Sequence, residues 1–366
     1  MKVLVLSCST GEGHNSAGNA VSEYFALKNV HCDMINAFSF VSDMTAKVLS
    51  HGHVFVYRNM PRLFGAGYRL EEKYPPKSFY KKMAKGAPAL YDFIRRGGYD
   101  TVVCSHIFAA MMLTECKRQF AADVFAYLLV TDYTCSPGVN MLDMDAYFIP
   151  HEQLASEFTG NGIDAARIVP SGIPVSQRFF SKKPKELSRR ELNISENADA
   201  VLLSSGSMGC GPVKELARCL LESLSFNAQL CVICGSNRRL FTELEPLTRD
   251  KRLRLTGFTP KMFDYMNSAD VYITKAGGLS TTEAVTVGVP LVFMDAVPGC
   301  ESYNISFMTE NGCAVTADSV EGIAALSCDI LKDKQKARES FAAGREAVVK
   351  NGAENVYNYI VGRYGR

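Results

Sequence analysis

The sequence predicts an α/β protein of two domains, each built on a parallel sheet. At 366 residues, with 47% hydrophobic and 21% charged side chains, the chain is long enough for two domains with ample cores. In both halves, short apolar runs end in a glycine turn and lead into a helical pattern. Repeated strand–turn–helix units of this kind predict parallel sheets that are covered by helices.

The boundary between the two domains is predicted where the composition changes. Residues 168–174 contain two prolines and a glycine, and a polar run follows them through residue 195. We therefore expect an N-terminal domain at residues 1–168 and a C-terminal domain at residues 169–345. The last segment, residues 346–366, has a helical apolar stripe, and we expect it to pack back on the first domain.

The first predicted strand, residues 2–7, ends in a loop that contains Gly11 and Gly13. We expect Asn15 and Ser16 to cap the following helix. The loop lacks the Lys-Ser/Thr ending of a P-loop and the third glycine of the dinucleotide fingerprint. It offers His14, which lies near the carboxyl end of a sheet strand, where open α/β folds bind ligands. A catalytic role for His14 and that of an ordinary surface histidine both remain open.

A basic and aromatic stretch lies within residues 40–97, which otherwise look less regular. Ten of its side chains are basic: Arg58, Arg62, Arg69, Lys73, Lys77, Lys81, Lys82, Lys85, Arg95 and Arg96. Aromatic residues, including Phe64 and Tyr68, are interleaved with them, a combination that suits the interface of an anionic membrane. The alternative is a solvated helical face above a core, and no nucleic-acid motif accompanies the stretch.

Two further apolar runs of the first domain end in ionisable residues. Residues 100–104 lead to His106, and the buried run 124–131 leads directly to Asp132. An ionisable residue directly after a buried strand faces the ligand-binding edge of the sheet, so Asp132 is a second candidate acid or base. Its alternative role is to cap the next turn.

The second domain begins with a strand at residues 200–204 and a loop with three glycines, Gly206, Gly209 and Gly211. A helix is predicted at residues 213–223, and strands at 229–234 and 253–256. Another strand, 271–274, meets the glycine turn Gly277-Gly278, and we expect a helix from about Ser280. Such a junction suits an anion because the first helix amides lack intrahelical partners. Its alternative is an ordinary crossover of a parallel sheet.

Polar residues flank that predicted anion site. Ser280 and Thr281 have hydroxyls that can reach phosphate oxygens, and Glu283, expected in the first turn, can accept two sugar hydroxyls. A Pro298-Gly299 turn is expected to present Glu301 and Asn304.

Composition excludes several other classes of protein. The net charge of +2 gives no indication of nucleic acid, and no apolar run approaches the ~18 residues that span a bilayer. The twelve cysteines are scattered through apolar segments, which favours reduced thiols over disulfides. Cys231 and Cys234 lie three apart on a predicted strand and so point to opposite faces, which disfavours a metal site. We expect a cytoplasmic protein that contacts a membrane surface.

Several segments together resemble glycosyltransferase family 28: SCSTGEGHNSAGNAV, LVTDYTCSP, SGIPV, SSGSMGCGP, GFTPKMFDYMNSADVYITKAGGLSTTEAVTVGVPLVF and PGCESYN. Within that family the chain looks most like monogalactosyldiacylglycerol synthases and bacterial processive diacylglycerol glucosyltransferases. The resemblance covers nearly the whole chain. It implies a GT-B fold, in which two Rossmann-like domains face a cleft.

The resemblance also implies roles for individual residues. Donor-binding positions, for a UDP-sugar such as UDP-glucose or UDP-galactose, are Gly206, Ser207, Gly209, Phe258, Gly277, Gly278, Ser280, Thr281, Glu283, Glu301 and Asn304. Catalytic positions are His14 and, as the second choice of base, Asp132. Acceptor and membrane positions, for diacylglycerol at an anionic membrane surface, are Gly13, Arg58, Phe64, Tyr68, Lys81, Lys82 and Lys85. The implied reaction inverts the anomeric carbon and needs no cofactor and no metal.

The sequence departs from the family at two places. The segment after Asp132 reads Thr134-Cys135-Ser136-Pro137 and leads to no tryptophan, and Cys300 stands where the family commonly has glutamine. The first departure affects the acceptor and the second the sugar. A UDP-sugar epimerase or hydrolase of the same architecture, and a lipid-linked N-acetylglucosaminyltransferase, remain alternatives. A non-enzymatic nucleotide-sugar-binding or membrane-docking module is a further one.

Overall fold

Two parallel six-stranded sheets form the framework of this computed structural model. The structure describes residues 1–52, 55–56, 60–74, 77–207, 209–294 and 299–364, without the side chains of residues 50, 51, 61 and 62. The chain divides into two units. The first comprises Met1–Gln177, Pro298–Cys300 and Lys350–Arg366, and the second comprises Arg178–Val297 and Glu301–Val349.

The sheet of the first unit has the strand order β2-β1-β3-β4-β5-β6, and every neighbouring pair is parallel. Its strands are β1 (Val3–Ser7), β2 (Cys32–Asn36), β3 (Thr101–Cys104), β4 (Phe125–Leu129), β5 (Ala146–Ile149) and β6 (Ile168–Pro170). Strands β1 and β3 are fully buried, as expected for a sheet that is covered on both faces.

The helices of the first unit connect these strands. They are α1 (Glu12–Leu27), α2 (Asp43–Lys47), α3 (Pro61–Lys73), α4 (Lys77–Ala84), α5 (Ala87–Gly97), α6 (Ile107–Phe120), α7 (Ala155–Gly160) and, at the end of the chain, α16 (Gly352–Tyr364). Helix α16 packs against α1, where the ring centroids of Tyr357 and Phe25 are 5.1 Å apart. The chain end is therefore part of the first unit's core.

The second unit repeats the plan with the order β12-β11-β10-β7-β8-β9, again all parallel. Its strands are β7 (Asp199–Ser204), β8 (Ala228–Ile233), β9 (Leu253–Thr256), β10 (Val271–Thr274), β11 (Leu291–Phe293) and β12 (Val315–Thr316). Its helices are α8 (Lys185–Glu191), α9 (Val213–Ser223), α10 (Arg238–Leu244), α11 (Met262–Ser268), α12 (Gly278–Val287), α13 (Cys300–Glu310), α14 (Val320–Lys332) and α15 (Lys334–Val348).

Each strand order has one switch point, where consecutive crossovers leave to opposite sides. In the first sheet it lies between β1 and β3, and in the second between β7 and β10. Open α/β sheets bind ligands outside the carboxyl ends of the strands at such points. The topology therefore predicts ligand sites at the loops after β1 and β3 and at those after β7 and β10.

Two local expectations were wrong. Helix α1 begins at Glu12, so Asn15 and Ser16 lie inside it; the Asn15 side chain instead accepts a hydrogen bond of 2.6 Å from the Ser7 hydroxyl. Helix α12 begins at Gly278, which places Glu283 in its second turn. Glu301 and Asn304 lie on α13, which begins at Cys300 directly after the turn at Gly299, and Pro298 of the predicted turn lies outside the described residues.

The stretch 40–97 is more regular than its sequence suggested. It contains α2 to α5, and prolines near the start of α3 and α5 occupy positions where a missing amide costs no helical hydrogen bond. Among the helices of the described residues, none combines the length and the apolar composition that crossing a bilayer would require.

Candidate active site

His14 lies in the first turn of α1, directly beyond the carboxyl end of β1. Its Nδ1 is 3.0 Å from the carbonyl oxygen of Ser105 and 2.9 Å from Oγ1 of Thr131. These partners follow β3 and β4, so the ring is held by the loops of three adjacent strands. Because a carbonyl oxygen only accepts hydrogen bonds, we assign the proton to Nδ1. The other ring nitrogen, Nε2, is then the basic one.

The surroundings of His14 favour its neutral form. Burial lowers the pKa of His14, while the negative charge of Asp132 and the hydrogen bond to Ser105 raise it by less. The His106 ring contacts the His14 ring edge-on, with centroids 4.4 Å apart. His106 is itself fixed, because its Nδ1 accepts a hydrogen bond of 3.0 Å from the amide of Phe108 and so caps α6.

A cavity of about 450 Å³ adjoins these groups within the first unit. His14, Ser105, His106, Thr131 and Asp132 all line it. Most of its other lining residues are apolar and include Leu49, Phe64, Tyr68, Phe79, Phe108 and Met111. The site therefore places the His14 ring beside a mostly apolar volume.

The predicted acceptor and membrane residues do not lie together: some line the cavity, and others are exposed on the surface. Phe64 and Tyr68 line the cavity that His14 and Asp132 share. Gly13 precedes His14 in α1 and is not among the cavity residues. Lys81, Lys82 and Lys85 are exposed on or directly after α4. Arg58 lies outside the described residues.

In the second unit, two glycine turns meet at the switch point between β7 and β10. Gly206 has φ +67°, and a Cβ added there would lie 3.1 Å from Cε of Lys275, the residue directly after β10. Gly277 precedes α12 and lies close to the same lysine, with 3.7 Å from a built Cβ to Nζ. Lys275 therefore lies between the two turns that the sequence assigns to a diphosphate.

The glycine-rich loop after β7 is anchored to its neighbours. The Ser207 carbonyl accepts hydrogen bonds from the amide and the hydroxyl of Ser236, at 2.9 and 2.8 Å. The Gly209 carbonyl accepts one of 2.8 Å from the side chain of Asn237. Gly209 also requires glycine, since it has φ +58° and a Cβ would lie 2.7 Å from a carbonyl oxygen. These bonds keep Gly206 and Ser207 at the carboxyl edge of the sheet.

Helix α12 supplies the other predicted donor groups. Its first residue is Gly278, and the Ser280 hydroxyl donates a hydrogen bond of 3.2 Å to the Gly277 carbonyl. Thr281 is fully buried, and its hydroxyl has no hydrogen-bond partner among the described residues. Burial raises the pKa of Glu283 to about 8, although the charge of Arg178 lowers it in part.

Two predicted sugar-reading residues lie on α13 and pack against the turn after β10. Glu301 is buried and forms an ion pair with Nζ of Lys275. The side-chain amide of Asn304 donates a hydrogen bond of 2.7 Å to the carbonyl of Ala276. Both side chains thus meet residues 275–276, beside the start of α12.

Phe258 lies farther along the same edge, on the loop after β9, and is 70% exposed. The preceding residue, Gly257, is close to Gly235, whose own built Cβ would lie 2.4 Å from the Ser207 carbonyl oxygen. The loops after β7, β8 and β9 are therefore neighbours along the carboxyl edge of the sheet. The exposed ring of Phe258 lies on the last of these loops. This position suits the stacking of a flat base.

Several residues of the two sites were not among the sequence predictions. Thr131 and Ser105 hold His14, Lys275 pairs with Glu301, and the charge of Arg178 acts on Glu283. Lys275 is an ionisable residue that directly follows the buried strand β10, so the rule that singled out Asp132 also applies to it. No such signal marked Arg178, because it lies far from Glu283 in the sequence. No group of three or more His, Cys, Asp or Glu side chains in the described parts of the chain is arranged to hold a metal ion.

Comparisons with known families agree with the two-unit organisation. Residues 14–175 match the family model of monogalactosyldiacylglycerol (MGDG) synthase, and residues 193–347 match that of glycosyl transferases group 1. A processive diacylglycerol beta-glucosyltransferase of Bacillus cereus (strain B4264) is 25% identical over 370 residues, which cover 98% of this chain and 93% of the relative. A probable chloroplastic monogalactosyldiacylglycerol synthase of Nicotiana tabacum is 26% identical over 88% of this chain and 63% of the relative.

Solved structures agree with the fold. Acinetobacter baumannii MurG superimposes with a TM-score of 0.65 at 17% identity and covers 99% of each chain. Anabaena HepE in complex with UDP superimposes with a TM-score of 0.60 at 12% identity, over 99% of this chain and all of that one. The predicted fold class is confirmed: α/β, of the GT-B type.

Proposed function

We propose that this chain, whose residues 14–175 match the monogalactosyldiacylglycerol synthase model and whose residues 193–347 match that of glycosyl transferases group 1, transfers a hexose from a UDP-sugar to diacylglycerol. The relatives named diacylglycerol glucosyltransferase and MGDG synthase support this acceptor. HepE, whose solved structure contains UDP, supports the donor only at the level of the fold.

The cavity beside His14 is the observation that carries the proposal. Its walls are mostly apolar, and His14, Ser105, His106, Thr131 and Asp132 bring polar groups to it from the carboxyl ends of β1, β3 and β4, while Tyr68 and Glu71 of α3 add two more. Acyl chains are stabilised by an apolar surface, at about 0.8 kcal/mol for each buried CH₂ group, whereas a hydrolase needs access for water. A lipid whose single free hydroxyl lies near Nε2 of His14 therefore fits this site better than water or a free sugar.

We assign the role of general base to His14. Its Nε2 removes the proton of the acceptor hydroxyl, the oxygen attacks the anomeric carbon, and the bond from that carbon to the diphosphate breaks with its electron pair on UDP. Attack opposite the leaving group inverts the anomeric centre. Asp132 stabilises the imidazolium that forms, as the charge effect on the His14 pKa indicates. Asp132 as the base itself is the second choice.

The leaving diphosphate is proposed to bind at the start of α12. The first amides of this 10-residue helix lack intrahelical partners, and the helix dipole adds partial positive charge there. Such groups stabilise the developing charge on UDP without a metal ion. Glu283 is proposed to accept the ribose hydroxyls and Phe258 to pack by the uracil. Glu301 and Asn304 are proposed to contact the hexose.

Transfer to membrane lipid is the direct test. The enzyme is incubated with diacylglycerol vesicles and with radiolabelled UDP-glucose, UDP-galactose or UDP-N-acetylglucosamine, and label is measured in lipid and in water. We expect labelled glycosyldiacylglycerol with one of the two hexoses, in the anomeric configuration opposite to that of the donor. Label that appears only as free sugar or as an epimerised nucleotide would contradict the proposal and favour the hydrolase or epimerase. Transfer of N-acetylglucosamine alone would favour the third alternative.

The donor site is tested separately. Glu283→Ala removes the proposed contacts to two ribose hydroxyls, and because each hydrogen bond contributes about 0.5–1.5 kcal/mol, we expect UDP affinity to fall by roughly 10- to 100-fold in calorimetry. The matched control is Glu243→Ala, since Glu243 lies on the outer side of α10 in a pair with Arg239. Undiminished UDP affinity in Glu283→Ala would remove this residue from the site.

A further inference from the structure

The Lys275–Glu301 pair lies where the proposed function requires two different ligands. The two side chains are 14% and 4% exposed, and their charged atoms are in direct contact. Lys275 lies beside the glycine turns at Gly206 and Gly277, which are assigned to the diphosphate. Glu301 is assigned to the hexose. In this structure each charge therefore neutralises the other at the position where a substrate group is proposed to bind.

Electrostatics disfavour retention of this pair once a diphosphate is present. A lysine ammonium is a compact point charge that suits phosphate oxygens, and a diphosphate carries more negative charge than one carboxylate. If Lys275 turned to the phosphate, the Glu301 carboxylate would lose this ion pair in a buried site, where the loss of a counter-charge is costly. Hexose hydroxyls, which donate hydrogen bonds, would compensate that charge.

We propose that Lys275 and Glu301 exchange partners when the donor binds. Lys275 moves from the Glu301 carboxylate to the diphosphate, and the released carboxylate accepts hydroxyls of the hexose. Nucleotide recognition is thereby coupled to sugar recognition, because the carboxylate becomes available for the hexose only when a diphosphate has taken its lysine. This inference rests on the proposed UDP-sugar donor and adds Lys275 to it as a donor-binding residue.

The exchange predicts opposite effects of removing each partner. Lys275→Met should weaken UDP binding by about 10- to 100-fold and leave uridine binding unchanged, since uridine has no phosphate. Glu301→Gln frees the lysine from its competitor, so UDP should bind as tightly as to the wild type or up to about tenfold more tightly. The same variant should lose the additional affinity that the wild type shows for its UDP-hexose over UDP. Calorimetry without any lipid acceptor gives all three affinities.

A purely structural ion pair predicts a different pattern. In that case both variants would lose thermal stability and UDP affinity together, and such parallel losses would overturn the exchange. The control variant is Lys251→Met. Lys251 is exposed and precedes β9, so it lies at the amino edge of the sheet, away from the proposed donor site, and its variant should bind UDP like the wild type. If a single variant does not fold, the double variant Lys275→Met/Glu301→Met removes both buried charges. The double variant should fold and bind UDP about 10- to 100-fold more weakly than the wild type; wild-type UDP affinity in it would refute the exchange.

Failure of the Lys275–Glu301 exchange can be distinguished from failure of the proposed glycosyl transfer. A wild-type protein that binds UDP but transfers no sugar to diacylglycerol would contradict the acceptor and leave the exchange testable by the same titrations. A wild-type protein that binds no UDP would overturn the donor and the exchange together.

Discussion

At the scale of single residues, the candidate base depends on hydrogen bonds more than on its own ionisation. The Nδ1 of His14 faces the Ser105 carbonyl, which fixes the tautomer and leaves Nε2 for the acceptor. A base whose pKa lies below the ordinary histidine value stays deprotonated to lower pH. The charge of Asp132 raises that pKa again and so increases the strength of the base.

The pH dependence of transfer separates the two candidate bases. We expect kcat/KM of the wild type to fall only below about pH 6.5, since the pKa of His14 is lowered from that value. Asp132→Asn removes a charge that raises this pKa, so the acid limb should move to still lower pH while the plateau rate falls. His14→Ala should retain UDP affinity and lose about 10²- to 10⁴-fold in turnover. Retained turnover in His14→Ala, together with loss of the acid limb in Asp132→Asn, would make Asp132 the base.

At the scale of elements, a buried ionic cluster fixes β10 at the amino edge of the second sheet, opposite the candidate donor site. Asp270, directly before β10, is 3% exposed and pairs with Lys185 and Arg189 of α8 at 2.5 and 2.8 Å. Lys334 at the start of α15 is 3.1 Å away. Burial raises the pKa of Asp270, but its pairs with Lys185 and Arg189 and the amide of Ala200 lower it to about 2. The cluster therefore holds α8, β7, β10 and α15 together.

Asp270→Asn should destabilise the second unit, because the buried Arg189 and the partly buried Lys185 lose their counter-charge. Breaking a buried pair costs about 3–5 kcal/mol, and chemical unfolding measures the difference. The folded-state pKa is depressed, so the stabilisation is complete above the ordinary value of 3.8 and is lost as pH falls towards 2. The difference in the free energy of unfolding between the wild type and Asp270→Asn should therefore become smaller below pH 4. Asp329→Asn, in an exposed pair with Lys332, is the control and should change stability by less than about 1 kcal/mol.

At the scale of the whole molecule, the first unit presents a surface suited to a membrane. Apolar side chains of the segment 44–74 are exposed: Met44, Val48, Phe55, Met60, Leu63, Leu70 and Tyr74. Leu63 also lines the cavity beside His14, so this segment is continuous with the proposed acceptor site. Exposed Lys81, Lys82 and Lys85 follow on the next helix. We propose that this surface holds the enzyme on the inner face of an anionic membrane.

Charge reversal tests the membrane surface. Each basic residue near an anionic membrane contributes about 1 kcal/mol, so Lys81→Glu/Lys82→Glu/Lys85→Glu should lower binding to anionic vesicles by well over tenfold in sedimentation. Binding to neutral vesicles should change little. The control reverses three exposed lysines of the second unit, Lys251, Lys332 and Lys336. Equal losses of vesicle binding in both triple variants would indicate an effect of net charge alone. Unchanged vesicle binding in the Lys81/Lys82/Lys85 variant would favour a solvated helical face.

The sequence by itself determined the two parallel sheets, because buried strands and the glycine turns after them are local patterns of hydrophobicity and backbone freedom. Strands β9 and β10 and helix α9 have the predicted bounds, and most other strands differ by one or two residues. The same local pattern placed His14, Asp132, Gly206 and Gly277 at the carboxyl edges. Helix starts were less predictable, because Asn15 bonds to β1 instead of capping α1.

Only the tertiary structure decided which polar groups meet. The hydrogen bonds of His14 to residues 105 and 131 join positions that the sheet order brings together. The pairing of Lys275 with Glu301 likewise depends on how α13 packs beside β10. A local pattern records how one segment folds, whereas a hydrogen bond or a pKa depends on partners that lie far away along the chain. That is why the sequence predicted which loops lie at the carboxyl edges of the sheets, and the folded chain was needed to assign the tautomer of His14 and the partner of Lys275.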